Sequence, residues 1–223
     1  MKEELTDVTA LVCQFKTREL IQRCVESFRE HYPHIPLVIV DDGSRDESTE
    51  YTRELGEHEG ILTVISEDNQ GHGPAMNLGI TYVDTPYVFT MDSDCTIEKD
   101  GLLEGMREIF DDYPITFAVG KQVPRYKTGG LYIRPSAMMM DIEKFHKLRP
   151  FILHGAPALH TMTDAEKHGY ALVDFPVLDY IDLHGGSGTR RAVQELIERG
   201  EIDGEEFSRL QPMLKHQLRG APQ

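Results

Sequence analysis

Four short apolar runs, Val8–Phe15, Leu37–Val40, Ile61–Ser66 and Tyr87–Met91, alternate with segments of helical spacing through the first hundred residues. Between the first two, Arg18–His31 places Leu20, Ile21, Val25 and Phe28 at helical intervals. Asp46 is positioned to cap a helix reaching Leu55, and Pro74 to begin one reaching Val83. Strands separated by helices need crossover connections, and these generate a mostly parallel sheet. The expected fold class is α/β, with a Rossmann-like, mostly parallel central sheet flanked by helices.

The second half is less regular. Leu102–Phe110 has helical spacing, Ile115–Val119 reads as a strand, and Gly129-Gly130 turns the chain into the extended stretch Leu131–Met140. A short helix is expected over Ala165–Gly169, strands over Ala171–Phe175 and Leu178–Leu183, and a helical tail from Arg191 to Arg199. Met138-Met139-Met140 reads as buried strand, with an adaptable ligand surface as the alternative. No repeat or long linker divides the chain. One domain over residues 1–223 is expected, with residues 106–190 completing the sheet begun by residues 1–105 and residues 191–223 forming the tail.

The charge balance removes one class of partner. Lys plus Arg number 23 against 38 Asp plus Glu, a net charge of −15. Nucleic-acid binding needs a basic footprint, so DNA and RNA are not expected. Cys13, Cys24 and Cys95 show neither CxxC spacing nor an even count, which argues against a disulfide framework or structural zinc. The start, Met1-Lys2-Glu3-Glu4, lacks an apolar signal core, and no segment approaches the ~20 apolar residues of a membrane span. A cytoplasmic protein is expected.

Two of the apolar runs end in acidic turns. Val38-Ile39-Val40 leads into Asp41-Asp42-Gly43-Ser44, and Tyr87–Met91 into Asp92-Ser93-Asp94. Open α/β sheets bind ligands at the carboxyl ends of their strands. Two acidic turns there make a cation-binding rim. Carboxylate oxygens suit Mg²⁺ or Mn²⁺, with phosphate oxygens and water completing the shell. An extended Asp92-Ser93-Asp94 would send both carboxylates to one side. An EF-hand does not fit, because its sixth position would be Ile97 and its twelfth Leu103; Gly71-His72-Gly73 lacks the third glycine of a dinucleotide fingerprint.

Together these residues resemble the GT-A glycosyltransferases of family 2. The resemblance runs from Val8–Phe15 and the helix leading to Ser27, through Val40-Asp41-Asp42-Gly43-Ser44 and Asn69-Gln70-Gly71 with Ala75, Asn77 and Gly79, to Met91-Asp92-Ser93-Asp94-Cys95. It implies a metal-dependent transferase that moves a sugar from a nucleotide-diphosphate donor, with UDP favoured, to a hydroxyl-bearing saccharide, lipid or small molecule, with inversion. By the same resemblance, Cys13, Gln14, Phe15 and Asp42 line the base and ribose pocket. Asp92 and Asp94 hold ribose and metal, and His184, which opens Gly185-Gly186-Ser187-Gly188, is a third metal ligand, with a strand-end histidine beside a glycine-rich loop as the alternative.

The chain departs from the family pattern in places. Phe15-Lys16 stands where Tyr-Asn is common, and Met76 stands where an arginine often precedes the motif's asparagine. Lys16, Arg18 or Arg190 would then supply the missing positive charge. The resemblance also implies an aspartate base near a helix start. Asp164, in Thr161-Met162-Thr163-Asp164-Ala165-Glu166, is the nearest match, with a helix N-cap as its structural alternative and His160 or His154 as other bases. Arg190 and Arg191 are placed for a phosphate contact or for solvent. His31, His34, His58, His146 and His216 read as structural or surface residues. Two further readings are a sugar-phosphate nucleotidyltransferase, disfavoured because Cys13–Arg18 contains no glycine, and a non-catalytic nucleotide-sugar-binding module.

Overall fold

The computed structural model describes residues 5–124, 131–152 and 156–183. His154, His184, Arg190, Arg191, His216 and the expected 191–199 helix lie outside them. The chain begins with strand β1 (Val8–Gln14), helix α1 (Arg18–His31), β2 (Leu37–Asp41), α2 (Glu47–Leu55), β3 (Ile61–Ile65), α3 (His72–Ile80) and β4 (Tyr87–Asp92). There follow β5 (Thr96–Ile97), α4 (Leu102–Asp112), β6 (Thr116–Pro124), β7 (Leu131–Asp141), α5 (Ile142–Phe145), α6 (Leu159–Lys167), β8 (Ala171–Asp174) and β9 (Ile181–Asp182).

Seven strands form one sheet in the order β3-β2-β1-β4-β7-β6-β8. The β3-β2-β1-β4 block is parallel, as its crossover helices require. β7 inserts antiparallel between β4 and β6, and β8 runs parallel to β6. Residues from the second half therefore extend the same sheet. β1 and β4 are flanked on both sides and read as nearly unbroken apolar sequence, the signature of doubly covered strands.

The helices cover both faces of the sheet, α1 with an apolar stripe. Ile21, Cys24, Val25 and Phe28 of α1 are buried at helical spacing. On the opposite face, Gly79 of α3 packs so close that a Cβ there would lie 2.3 Å from Leu11 Cδ1. Met138, Met139 and Met140 are wholly buried, so this run is core rather than ligand surface. A bulge at Gly120 shifts the β6–β7 register, and a Cβ at that position would lie 2.7 Å from Ile133 Cγ2.

Several boundaries differ from sequence expectation. α3 starts at His72 rather than Pro74, because Gly71 adopts φ +95° at the cap and a first-turn proline has no intrahelical N–H to lose. α6 starts at Leu159 rather than Ala165, driven by burial of Met162 and Ala165 against the sheet. Asp164 is thus inside α6 and is not its N-cap. The expected strand over Leu178–Leu183 is instead a 3-10 turn, Val177–Asp179, followed by β9. Pro176 fixes the entry to that turn, and Phe175 stacks on Tyr180 at 5.6 Å.

Candidate active site

The parallel block brings the carboxyl ends of β1, β2 and β4 to one rim. Cys13 stands beside both Val40 and Asp92, and Gln14 beside Asp41. The acidic turn after β2 divides its labour between two carboxylates. Asp41 is fully buried and accepts hydrogen bonds from the Ser44 amide (2.9 Å), the Ser44 hydroxyl (2.5 Å) and the Thr49 hydroxyl (2.5 Å). The Ser44 hydroxyl also accepts from the Lys16 amide at 2.9 Å, where Lys16 takes φ +55°. Asp41 therefore locks the β1–α1 loop to the acidic turn.

Asp42 points toward the neighbouring loop. Its carboxylate accepts from the amides of Gln70 (3.0 Å) and Gly71 (2.9 Å), so Asn69-Gln70-Gly71 acts through its backbone. Burial pushes the Asp42 carboxyl up to about 6, against the opposing pull of those amides and of His72. Gly43 makes the approach of the loop achievable. It holds φ +76°, and a Cβ there would lie 2.5 Å from the Asp68 carbonyl carbon.

After β4 the backbone turns rather than staying extended: the Cys95 amide donates to the Asp92 carbonyl at 3.1 Å, with Ser93 and Asp94 central. Asp92 ends the strand and Asp94 occupies the turn, so the pair reaches the rim by a turn and not by strand alternation. Helix α1 braces this turn. The Cys24 thiol donates to the Asp92 carbonyl (3.7 Å), Thr17 and Ser93 hydroxyls lie 3.3 Å apart, and the Ser27 hydroxyl accepts from the Ile97 amide (3.1 Å).

The Asp92 side chain keeps a third of its surface open, with the rest enclosed by protein. That enclosure pushes its carboxyl up, with His72 opposing and Asp94 adding to the rise. His72 Nε2 stands 3.5 Å from Asp92 Oδ1. In the sequence His72 belongs only to an incomplete glycine fingerprint, and its one signal is its place directly after Asn69-Gln70-Gly71. Burial, then Asp42 and Asp92, push the Cys13 thiol well above its usual range, so Cys13 lines the rim as a neutral group.

The remaining expected site residues divide. Phe15 is half-buried at the rim. Gln14 turns inward: its amide donates to Thr52 and accepts from the Thr17 amide and hydroxyl. Lys16 Nζ lies 3.9 Å from Asp46, and the Arg18 guanidinium stacks 3.6 Å above the Tyr51 ring while donating to Gln22. Met76 is buried core. Asp164 is held by Arg149 through both oxygens, at 2.5 Å from Nε and 2.7 Å from Nη2. Hydrogen bonding to that guanidinium holds its carboxyl down at about 2. His160 sits in the first turn of α6 and is partly exposed.

Among the described residues no three His, Cys, Asp or Glu side chains form a metal-binding group. Asp92 and Asp94 supply two hard carboxylates on one short turn, a donor set that fits Mg²⁺ or Mn²⁺ when a diphosphate shares the ion. β9 pairs with β5, bringing Asp182 beside Thr96, two residues beyond Asp94. No helix among the described residues is long and apolar enough to cross a membrane.

Residues 9–179 match the family model described as Glycosyl transferase family 2. The chain is 29% identical over 126 residues to Glycosyltransferase GlyA of Streptococcus pneumoniae, covering 56% of this chain and 18% of that protein. It is 26% identical over 99 residues to a poly-beta-1,6-N-acetyl-D-glucosamine synthase of Staphylococcus aureus, covering 44% and 24%. It thus spans under a third of the length of these curated relatives. Among solved structures, a mannosyltransferase from Pyrobaculum calidifontis in complex with GDP-Man and Mn2+ superposes with a TM-score of 0.66 at 21% identity, covering 76% of this chain and 55% of that one. S. aureus TarS 1-349 superposes with a TM-score of 0.61 at 14% identity, covering 83% and 63%. At these identities the superpositions establish the shared GT-A fold.

Proposed function

The chain belongs to glycosyl transferase family 2, and from that premise we propose that it transfers a sugar from a nucleotide-diphosphate donor to a hydroxyl acceptor, with inversion. The observation that carries the reading is the convergence of Asp42, Asp92 and Asp94 on one rim at the carboxyl ends of β2 and β4. Cys13, Phe15 and Asp42 line the nucleoside side. Asp92 and Asp94 would hold Mn²⁺ or Mg²⁺, with His184, which lies outside the described residues, as the third ligand by the family resemblance. When bound, such an ion would supply Lewis-acid neutralisation of the leaving diphosphate. UDP-sugars head the donor candidates, because a TarS structure of the same fold contains UDP-GlcNAc. GDP-sugars follow from the GDP-Man of the mannosyltransferase complex.

Removal of the acceptor proton needs a base with proton affinity to spare. Asp164, held down by Arg149, is poorly suited. His160, partly exposed in the first turn of the same helix, takes that role, and Asp164 becomes the residue that positions α6 through Arg149.

The test is nucleotide release from a panel of UDP- and GDP-sugars with and without Mn²⁺, beside calorimetric binding of the free nucleotides. Metal-dependent turnover supports a transferase; binding without turnover favours a sensing module. Asp94→Ala should abolish metal-dependent nucleotide binding, and an unchanged affinity would remove the metal assignment.

A further inference from the structure

Tyr132 lies near the start of β7, where that strand overruns the end of β4: the last β4–β7 pair is Met91 with Ala137. Its side chain is nine-tenths buried, packed with Phe151, Ala158 and Met162. Among the described residues its hydroxyl nevertheless has no hydrogen-bond partner. A buried hydroxyl left unpaired costs free energy that a phenylalanine at the same place would not.

Positive potential reaches that hydroxyl from two directions and negative potential from one, Asp92. It faces the Ala158 amide at the N-cap of α6, without the alignment of a true hydrogen bond. α6 is nine residues long, has no side-chain cap and carries no acid in its first turn, so its leading amides present a partial positive charge. Arg134, two residues along β7 and exposed, lies on the same strand side and within electrostatic reach of the phenol. Asp92 is within the same reach, which places the cluster at the edge of the rim.

We propose that the Tyr132 hydroxyl, Arg134 and the first turn of α6 form a phosphate-binding subsite beside Asp92. Its occupant is a phosphoryl group, from either the donor's diphosphate or a phosphate on the acceptor. The proposal rests on the transferase reading for the identity of these two sources, and on the unpaired hydroxyl and uncapped helix for the site itself. It also offers a replacement for the positive charge absent at Met76.

Tyr132→Phe keeps the packing and removes only the unpaired oxygen, so its melting temperature should equal or exceed that of the wild type. Calorimetry on the full chain with Mn²⁺ and UDP, uridine or inorganic phosphate then reads the subsite. An approximately tenfold weaker affinity for UDP with uridine unchanged assigns the donor diphosphate. Unchanged UDP affinity with loss of inorganic phosphate binding in the presence of UDP and Mn²⁺ assigns an acceptor phosphate. Arg134→Gln, at an exposed position, should weaken the same ligand several-fold without altering stability. UDP and phosphate affinities within twofold of wild type in both variants would overturn the subsite. A wild type that binds phosphate but no nucleoside diphosphate would overturn the transferase reading and leave the subsite standing; a wild type that binds neither would overturn both.

Discussion

Arg149 grips Asp164 through both carboxylate oxygens, and Lys167 stands 3.8 Å away on the next turn of the helix. The pair joins α6 to the segment that carries Phe151. A carboxyl held at about 2 when folded and near 3.8 when unfolded binds fewer protons in the folded state between those values. Its stabilisation is therefore full above about pH 4 and fades as pH falls toward about 2. Between pH 5 and pH 2 the melting temperature of wild type should fall more steeply than that of Arg149→Ala. Parallel curves would show that the pair contributes nothing.

The proposed base His160 and the proposed positioning residue Asp164 separate by mutation. His160→Ala should reduce transfer by at least ~10²-fold with donor affinity preserved, the scale expected for a general base. Asp164→Asn should reduce it by less than ~10-fold. Single-turnover transfer rates with saturating donor distinguish them, and the reverse ranking would return the base to Asp164.

Asp42 carries the opposite titration sign. Its folded carboxyl lies at about 6 against an ordinary 3.8, so the folded state binds more protons across that interval. Stability contributed at this position is present below about pH 4 and declines as pH rises to about 6. Relative to Asp42→Asn, wild type should lose roughly 2–3 kcal/mol over that range, from a shift of about two units. Urea midpoints at pH 4, 5 and 6.5 measure it; a gap that stays constant with pH would contradict the burial argument.

Gly43→Ala should be disproportionately harmful. The new methyl would sit 2.5 Å from the Asp68 carbonyl carbon and 2.6 Å from the Asn69 amide, both backbone, at a φ of +76°. The left-handed conformation alone costs about 1–2 kcal/mol for a residue with a Cβ, and displacement of the 68–71 loop adds to it. We expect a loss of about 2–4 kcal/mol in urea unfolding, with nucleotide affinity reduced because Asp42 loses its two amide donors. An unperturbed midpoint would mean that the loop yields freely.

Much of the donor side was legible because its determinants are local. The apolar runs and their spacing gave β1 to β4 nearly to the residue, Asp46 caps α2 through the Ser48 amide as expected, and the acidic turns appear where the strands end. The other side depends on long-range packing. α6 begins six residues earlier than its sequence pattern indicates, since Ala158, Met162 and Ala165 are revealed as a stripe only by the sheet they cover. That Asp41 braces while Asp42 faces the loop is invisible in two adjacent identical letters. The inward turn of Gln14 and the lone hydroxyl of Tyr132 likewise require three dimensions.

The fully satisfied Asp41 carboxylate has a consequence for recognition kinetics. Since the β1–α1 loop, the acidic turn and helix α2 are tied together by one buried group, the shape presented at this rim is fixed at the moment of folding. Little conformational freedom is left to freeze on association at this end of the cleft. Severing the tie, as in Ser44→Ala, would therefore convert a rigid receptor into one that must be moulded by its guest.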